Sequence, residues 1–268
     1  MAKIGVIFYN FPGFTFESFF AWCERVGAGW VEILLPAIEK EAGLERGIER
    51  IARLSRQHRV RISQISACND FLQKTREEVT VQASLVGKAA RTARLLGADL
   101  VRIDGGWEKP GVERKDYKNL VLTGFSLALE EAEKEDVRLA FDNHGVVTND
   151  HYFQLEILGK LRSPRLGLNL DTMNYRWFGY SVEELKTVFR TMAPFVFHTH
   201  MKDGSIVSGA QKKYLGAALG EGEVPLDVAI SSLKACGYDG VWCAEYEGPE
   251  KENGVGYEKC VRWLKEHI

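Results

Sequence analysis

Eight short apolar runs alternate with eight helical patterns along the 268 residues, and this alternation limits the fold more than any other feature. The runs are 3–8 (KIGVIF), 30–35 (WVEILL), 60–66 (VRISQIS), 98–103 (ADLVRI), 137–142, 165–171, 195–200 and 239–245. Helical periodicity falls near 15–27, 43–58, 76–96, 113–135, 150–161, 181–192, 224–236 and 255–267. Parallel strands need a crossover, usually a helix, so each strand is expected to pair with the next in parallel. Eight such units in roughly 250 residues match a closed α/β barrel, (β/α)8, better than an open doubly wound sheet. The pieces VGAGWVEI, LGADLVRI and CGYDGVWC each place a glycine (Gly27, Gly97, Gly237) between a helix end and a strand, where a left-handed residue stops the helix. No Pro-, Ser- or Gly-rich linker divides the chain, so one domain over residues 1–268 is expected.

Within that frame, four late strands end on polar residues: Asp142, Asp171, His200 and Glu245. Alternate strand residues face opposite sides. Parity puts Asn169 and Asp171 inside the sixth strand, with Leu166, Leu168 and Leu170 outside. It puts His198 and His200 inside the seventh, with Phe195, Phe197 and Thr199 against the helices. Cys243 and Glu245 share the inward parity of the eighth strand, Asp142 and His144 that of the fifth, and Arg102 and Asp104 that of the fourth. Taken singly, an Asp at a strand end is usually a helix cap and an inward His is usually hydrogen-bonded core. Four on successive strands are another matter, because unpaired buried charge is costly.

Three carboxylates in one barrel mouth repel each other unless one stays protonated or a cation sits between them. A set of acids with one imidazole suits Mn2+, Mg2+, Co2+, Fe2+ or Zn2+. The expected site is therefore one divalent ion at the C-terminal face of the strands, with Asp142, Asp171, His200 and Glu245 as ligands.

The strand-end segments VRIDGGW (101–107), LAFDNHG (139–145), GLNLDTMNYRWFG (167–179), HTHMKDG (198–204), LGEGEVPL (219–226) and CAEYEG (243–248) resemble the xylose-isomerase-like TIM-barrel superfamily, in its sugar-phosphate isomerase/epimerase branch. That superfamily also includes hexulose 3-epimerases, inosose dehydratases and endonuclease IV. The resemblance covers essentially the whole chain. It implies metal ligands after the fifth to eighth strands in the order Glu, Asp, His, Glu, which fall on Asp142, Asp171, His200 and Glu245. This chain departs at the first, where Asp replaces Glu and shortens the reach by about 1.5 Å.

The resemblance further implies a substrate with a carbonyl beside a hydroxyl, and proton removal α to the carbonyl by a carboxylate. Glu245 and Asp142 are the expected acid–base pair of an isomerase or epimerase of a small keto-sugar, sugar or sugar phosphate. A lyase or dehydratase acting on a keto-sugar or keto-inositol needs only one such base, and the Asp at 142 leans toward that alternative.

Other mouth residues are candidates for substrate contact. His144 shares the parity of Asp142, Lys202 follows the seventh strand, and Asn174 stands three residues after Asp171. Trp107, Trp177 and Phe11 lie on loops where they can stack on a sugar or pack the loop, and Arg176 lies in YRWFGY. His198 reads as core or as support for a ligand. Buried Arg102 calls for a structural ion pair. His58 and His267 end helices, His151 starts one, and none is assigned a function.

A formal net charge of -2 argues against a nucleic-acid partner, whose footprint is a basic face. Only six His are present, and Asn174 occupies the place of an expected His, which further separates the chain from endonuclease IV. KEAGLERGIERIARLSRQHR reads as a solvated amphipathic helix, and LGEGEVPL lacks the lysine of a phosphate loop. No apolar run approaches the ~20 residues that span a bilayer, so no membrane partner is expected. The five scattered cysteines form no C-x-x-C, and MAKIGVIFYN passes directly into a strand pattern without a secretory signal; both suggest a cytoplasmic protein. Barrels of this family often pair, which makes a homodimer the expected assembly. A sugar-binding or scaffold barrel without catalysis is the remaining alternative, distinguished by the absence of metal binding.

Overall fold

The computed structural model describes residues 2–41, 43–207 and 213–268. Its strands are β1 (Lys3–Ile7), β2 (Trp30–Leu34), β3 (Arg61–Ser66), β4 (Leu100–Ile103), β5 (Arg138–Asp142), β6 (Leu166–Asp171), β7 (Val196–Met201), β8 (Asp203–Val207), β9 (Lys213–Ala217) and β10 (Val241–Ala244). The first seven and β10 close into a barrel, each pairing in parallel with its neighbour in the chain, and β10 pairs with β1 to complete the ring. This is a single (β/α)8 TIM barrel.

The connecting helices are α1 (Phe16–Val26), α2 (Leu35–Glu39), α3 (Leu44–His58), α4 (Arg76–Leu95), α5 (Tyr117–Lys134), α6 (His151–Leu161), α7 (Asn174–Phe178), α8 (Val182–Met192), α9 (Leu226–Ala235) and α10 (Val255–His267). Thr15, Thr75 and Ser181 each start a helix with a reciprocal capping box, which satisfies otherwise orphaned N–H groups. Gly27, Gly97 and Gly237 all take the left-handed conformation expected of a helix stop (φ 70°, 77° and 73°).

Two features depart from the expected pattern. An antiparallel hairpin, β8–β9, projects after β7, and the short helices α2 and α7 interrupt the loops after β2 and β6. The pairing of β6 with β7 also slips between Leu168 and Asn169, a bulge that breaks strict alternation. Phe197 consequently does not follow the helix-facing parity expected for it. Its ring packs where a side chain at Gly167 would stand, with the Arg138 guanidinium 4.9 Å from the ring centre. A second slip, between Val31 and Glu32 on β2, lets Glu32 pair with Gln64.

Candidate functional site

Beneath the mouth, the barrel interior carries a polar layer. Gln64 Nε2 donates to Glu32 Oε2 (2.7 Å) and to Asn169 Oδ1 (3.0 Å). His198 lies 2.8 Å from Asn169 Oδ1 through Nδ1 and 3.1 Å from Ser63 Oγ through Nε2. Burial pushes the His198 pKa down to about 3, so this ring is a neutral member of the layer.

Directly above it, Asp171, His200 and Glu245 bring one donor atom each to within 4.8 Å of one another. Asp171 ends β6, His200 lies near the end of β7, and Glu245 follows β10, so the barrel stagger brings three staves to one point. His200 Nε2 donates to Glu32 Oε2 at 2.6 Å, an oriented contact of the kind that fixes a ligand imidazole. Its Nδ1 stands 2.8 Å from Glu245 Oε2, an ion pair when the ring is protonated. Asp171 Oδ1 accepts the backbone N–H groups of Met173 and Asn174 (2.8 Å each), while Oδ2 is buried without a hydrogen bond among the described residues. A buried carboxylate oxygen without a hydrogen bond, beside an imidazole and a second carboxylate, is an arrangement a divalent cation completes, displacing the imidazole proton. The residues present therefore fit the metal that the resemblance implies.

The electrostatics agree. Burial, outweighing the opposing Lys202 charge, raises the Asp171 carboxyl to about 6, and Glu245 and Asp142 add to the rise. Burial also works against ionised Glu245 and Glu32, but their cationic neighbours outweigh it: Lys202 and His200 hold Glu245 well below the usual carboxylate range, and His200 and Arg102 hold Glu32 at about 2. Six buried or half-buried acids (Glu32, Asp104, Asp142, Asp171, Glu245, Glu247) face two permanent cations, Arg102 and Lys202. That excess of negative charge favours a further cation.

Asp142, expected as the fourth ligand and as a base, groups with Asp104 and His144 instead. Its Oδ2 is ion-paired to Arg102 at 2.7 Å and its Oδ1 accepts from Asn169 Nδ2 at 3.0 Å. The shorter side chain leaves this carboxylate with the guanidinium. Arg102 also reaches Asp104 (3.1 Å) and Glu32 (3.6 Å), as expected for a buried arginine. Burial opposes the charge of Asp104, yet Arg102 and His144 hold its carboxyl below the ordinary range. His144 feels the reverse: burial lowers its pKa, but Asp104 and Asp142 leave it raised.

The mouth opens into a cavity of about 350 Å³, reached by Glu245, Lys202, His144, Asn174, Trp107 and Asp142. Lys202 Nζ lies 3.2 Å from Glu245, 2.9 Å from Glu247 and 3.5 Å from Asp171, and donates to Asn174 Oδ1 at 3.3 Å. Trp107 stands edge-on to His144. Arg176 lines no part of this cavity. Glu223 holds it at 2.7 Å and the Tyr180 carbonyl at 3.2 Å, so it ties α7 to the 219–226 segment. Phe11 is buried against Tyr257 and packs the loop.

Sequence reasoning missed Glu32, Glu247 and Tyr9, the last of which lines the same cavity. Glu32 signalled itself as an acid inside the apolar run WVEILL, and Glu247 repeats the parity of Glu245. Tyr9 carried no comparable signal.

The fold is shared with several solved structures. The IOLI protein, in a crystal structure with a zinc atom bound, has a TM-score of 0.79 and 18 % identity, covering 99 % of this chain and 96 % of that one. The probable 3-DHS dehydratase AsbF from Bacillus anthracis has a TM-score of 0.76 and 16 % identity, covering 98 % of each chain. The 3-keto-D-glucoside 4-epimerase YcjR from E. coli has a TM-score of 0.78 and 12 % identity, covering 99 % of this chain and 100 % of that one. No curated protein sequence matches the chain. Matching the xylose isomerase-like TIM barrel model over residues 20–267, the chain belongs to that family.

Proposed function

We propose that this protein is a divalent-metal-dependent isomerase or epimerase of a small keto-sugar. The observation that carries the reading is the convergence of Asp171, His200 and Glu245 to within 4.8 Å, with Glu245 facing the open cavity and Asp171 Oδ2 buried without a hydrogen bond among the described residues. A bound divalent ion would supply Lewis-acid stabilisation of negative charge developing on a substrate carbonyl oxygen. Asp171, His200 and Glu245 would hold it, with Glu32 orienting His200.

The other steps belong to the chain's own groups. Glu245 presents Oε2 toward His200 and Oε1 toward Lys202. Oε1 is placed to remove the proton on the carbon α to the carbonyl, and the Lys202 ammonium beside it steadies the developing charge. Asn174 and His144 face the same cavity and can hold substrate hydroxyls. Among the described lining residues the permanent cations are Arg102 and Lys202, each already facing three carboxylates. Neither is free for a phosphate, which favours an unphosphorylated substrate.

A dehydratase is the second reading, favoured by one observation. Arg102 and Asn169 hold both oxygens of Asp142 at hydrogen-bond distance, so Glu245, with Lys202 farther off at 3.2 Å from Oε1, is left as the single base. One base, with His144 as proton donor to a leaving hydroxyl, suffices for elimination.

A panel of keto-sugars, polyols and their phosphates, incubated with the Mn2+-loaded protein in deuterated water, separates these outcomes. Deuterium at the α carbon of a recovered isomer supports the first reading, and loss of water supports the second. Absence of exchange and of elimination across the panel, or undiminished turnover after chelation, would overturn both.

A further inference from the structure

We infer that the substrate carries a second, aromatic ring, and that this ring occupies a separate lobe walled by Trp177 and Tyr214. The inference rests on the keto-sugar reading for the first ring and extends it to a keto-glycoside with an aryl aglycone.

Two adjoining cavities support it. The inner one, at about 350 Å³, already falls within the ~300–1,000 Å³ of ordinary small-ligand pockets. A second cavity of about 240 Å³ shares Trp107, His144, Asn174, Lys202 and Glu247 with it, so the two adjoin along that common wall. The residues the outer lobe adds are Met173, Trp177 and Tyr214. These are apolar or aromatic, whereas every polar residue of the lobe other than Tyr214 belongs to the shared boundary. A second sugar ring needs a hydrogen-bond partner for each hydroxyl it buries. A flat aromatic ring needs apolar faces, which this lobe offers.

Two further details point the same way. Trp177 is 50 % exposed and Trp107 45 %, large apolar surfaces left open beside a polar site. The Tyr214 hydroxyl is buried with no hydrogen-bond partner among the described residues. It is a donor for an oxygen where the aglycone joins the sugar, or on the aromatic ring itself. Gly204, across the hairpin, leaves the space that the Tyr214 ring fills.

The test measures binding, so it does not depend on turnover. Methyl β-D-glucoside, phenyl β-D-glucoside and benzyl alcohol are titrated against the Mn2+-loaded protein, followed by saturation-transfer NMR. The wild type, W177A and W177F are compared. The phenyl glycoside should bind at least about tenfold more tightly than the methyl glycoside, as expected when an apolar ring leaves water. W177A should cut that preference below about threefold, with the methyl glycoside unchanged, and W177F should restore most of it. Equal affinity for the two glycosides, or a preference untouched in W177A, overturns the inference. Trp177-dependent binding of benzyl alcohol without binding of either glycoside would uphold the aromatic lobe and sink the carbohydrate reading. No Trp177-dependent binding of any aromatic probe ends the inference outright.

Discussion

Glu32 reaches the proposed centre only through His200, and its removal isolates that support. E32Q keeps the volume of the side chain but replaces an anionic acceptor for His200 Nε2–H with an amide. Loss of such an outer partner typically costs 10–100-fold in metal affinity. Mn2+ affinity measured by calorimetry should fall by that order in E32Q, and unchanged affinity would show that His200 is not a ligand. Asp104 gives a prediction about acid. Its carboxyl is held below the ordinary range by Arg102 and His144 despite burial. A depressed folded-state pKa contributes stability that is fully present above the unfolded value, about 3.9, and is lost as the pH falls through the folded one. Urea unfolding across pH 5 to 2 should therefore show a shallower decline for D104N than for the wild type. Equal slopes would mean that the Arg102 contact contributes nothing.

One side chain ties the hairpin β8–β9 to the 219–226 segment at several points, beside the contacts of Glu223 with Gly204 and Ile206. Asp203 accepts backbone N–H groups from Gly204, Gly220, Gly222 and Val224 at 2.8–3.2 Å. Gly222 passes so close that an added Cβ would overlap the Asp203 carboxylate. HMKDG and LGEGEVPL are thus two halves of one cradle, which explains a glycine-rich segment that lacks the spacing of a phosphate loop. D203A should cost about 3 kcal/mol, because four backbone donors, those of Gly204 and Val224 buried, lose a charged acceptor. Hydrogen exchange at residues 204, 220, 222 and 224 should accelerate in step. Unaltered exchange there would show that the loop holds itself.

At the scale of the whole barrel, the proposed centre joins β6, β7 and the end of β10, so a cation held there links staves far apart in sequence. Ligand binding to the folded state alone stabilises by about 2.7 kcal/mol at a hundred times Kd. Mn2+ should raise the melting temperature by roughly 5–10 °C for a chain of this size. Chelation should reverse the rise and H200A should lose it. An equal rise in H200A would remove the Asp171–His200–Glu245 centre from consideration. Among the described residues, no helix is long and apolar enough to cross a membrane.

The sequence by itself determined the eight staves, their parallel order and the inward side of most of them, because strand periodicity and helix stops are local properties. It also named Asp171, His200 and Glu245, since polar residues ending buried strands stand out against an apolar background. Partnership was decided only by the tertiary structure. Asp142 went to Arg102 and Asn169, Arg176 to Glu223, and Glu32 came under His200 across 168 positions of chain. Those outcomes depend on barrel stagger and on two one-residue slips in register. Distances between staves follow from closing the ring, and no pattern within a single strand carries them.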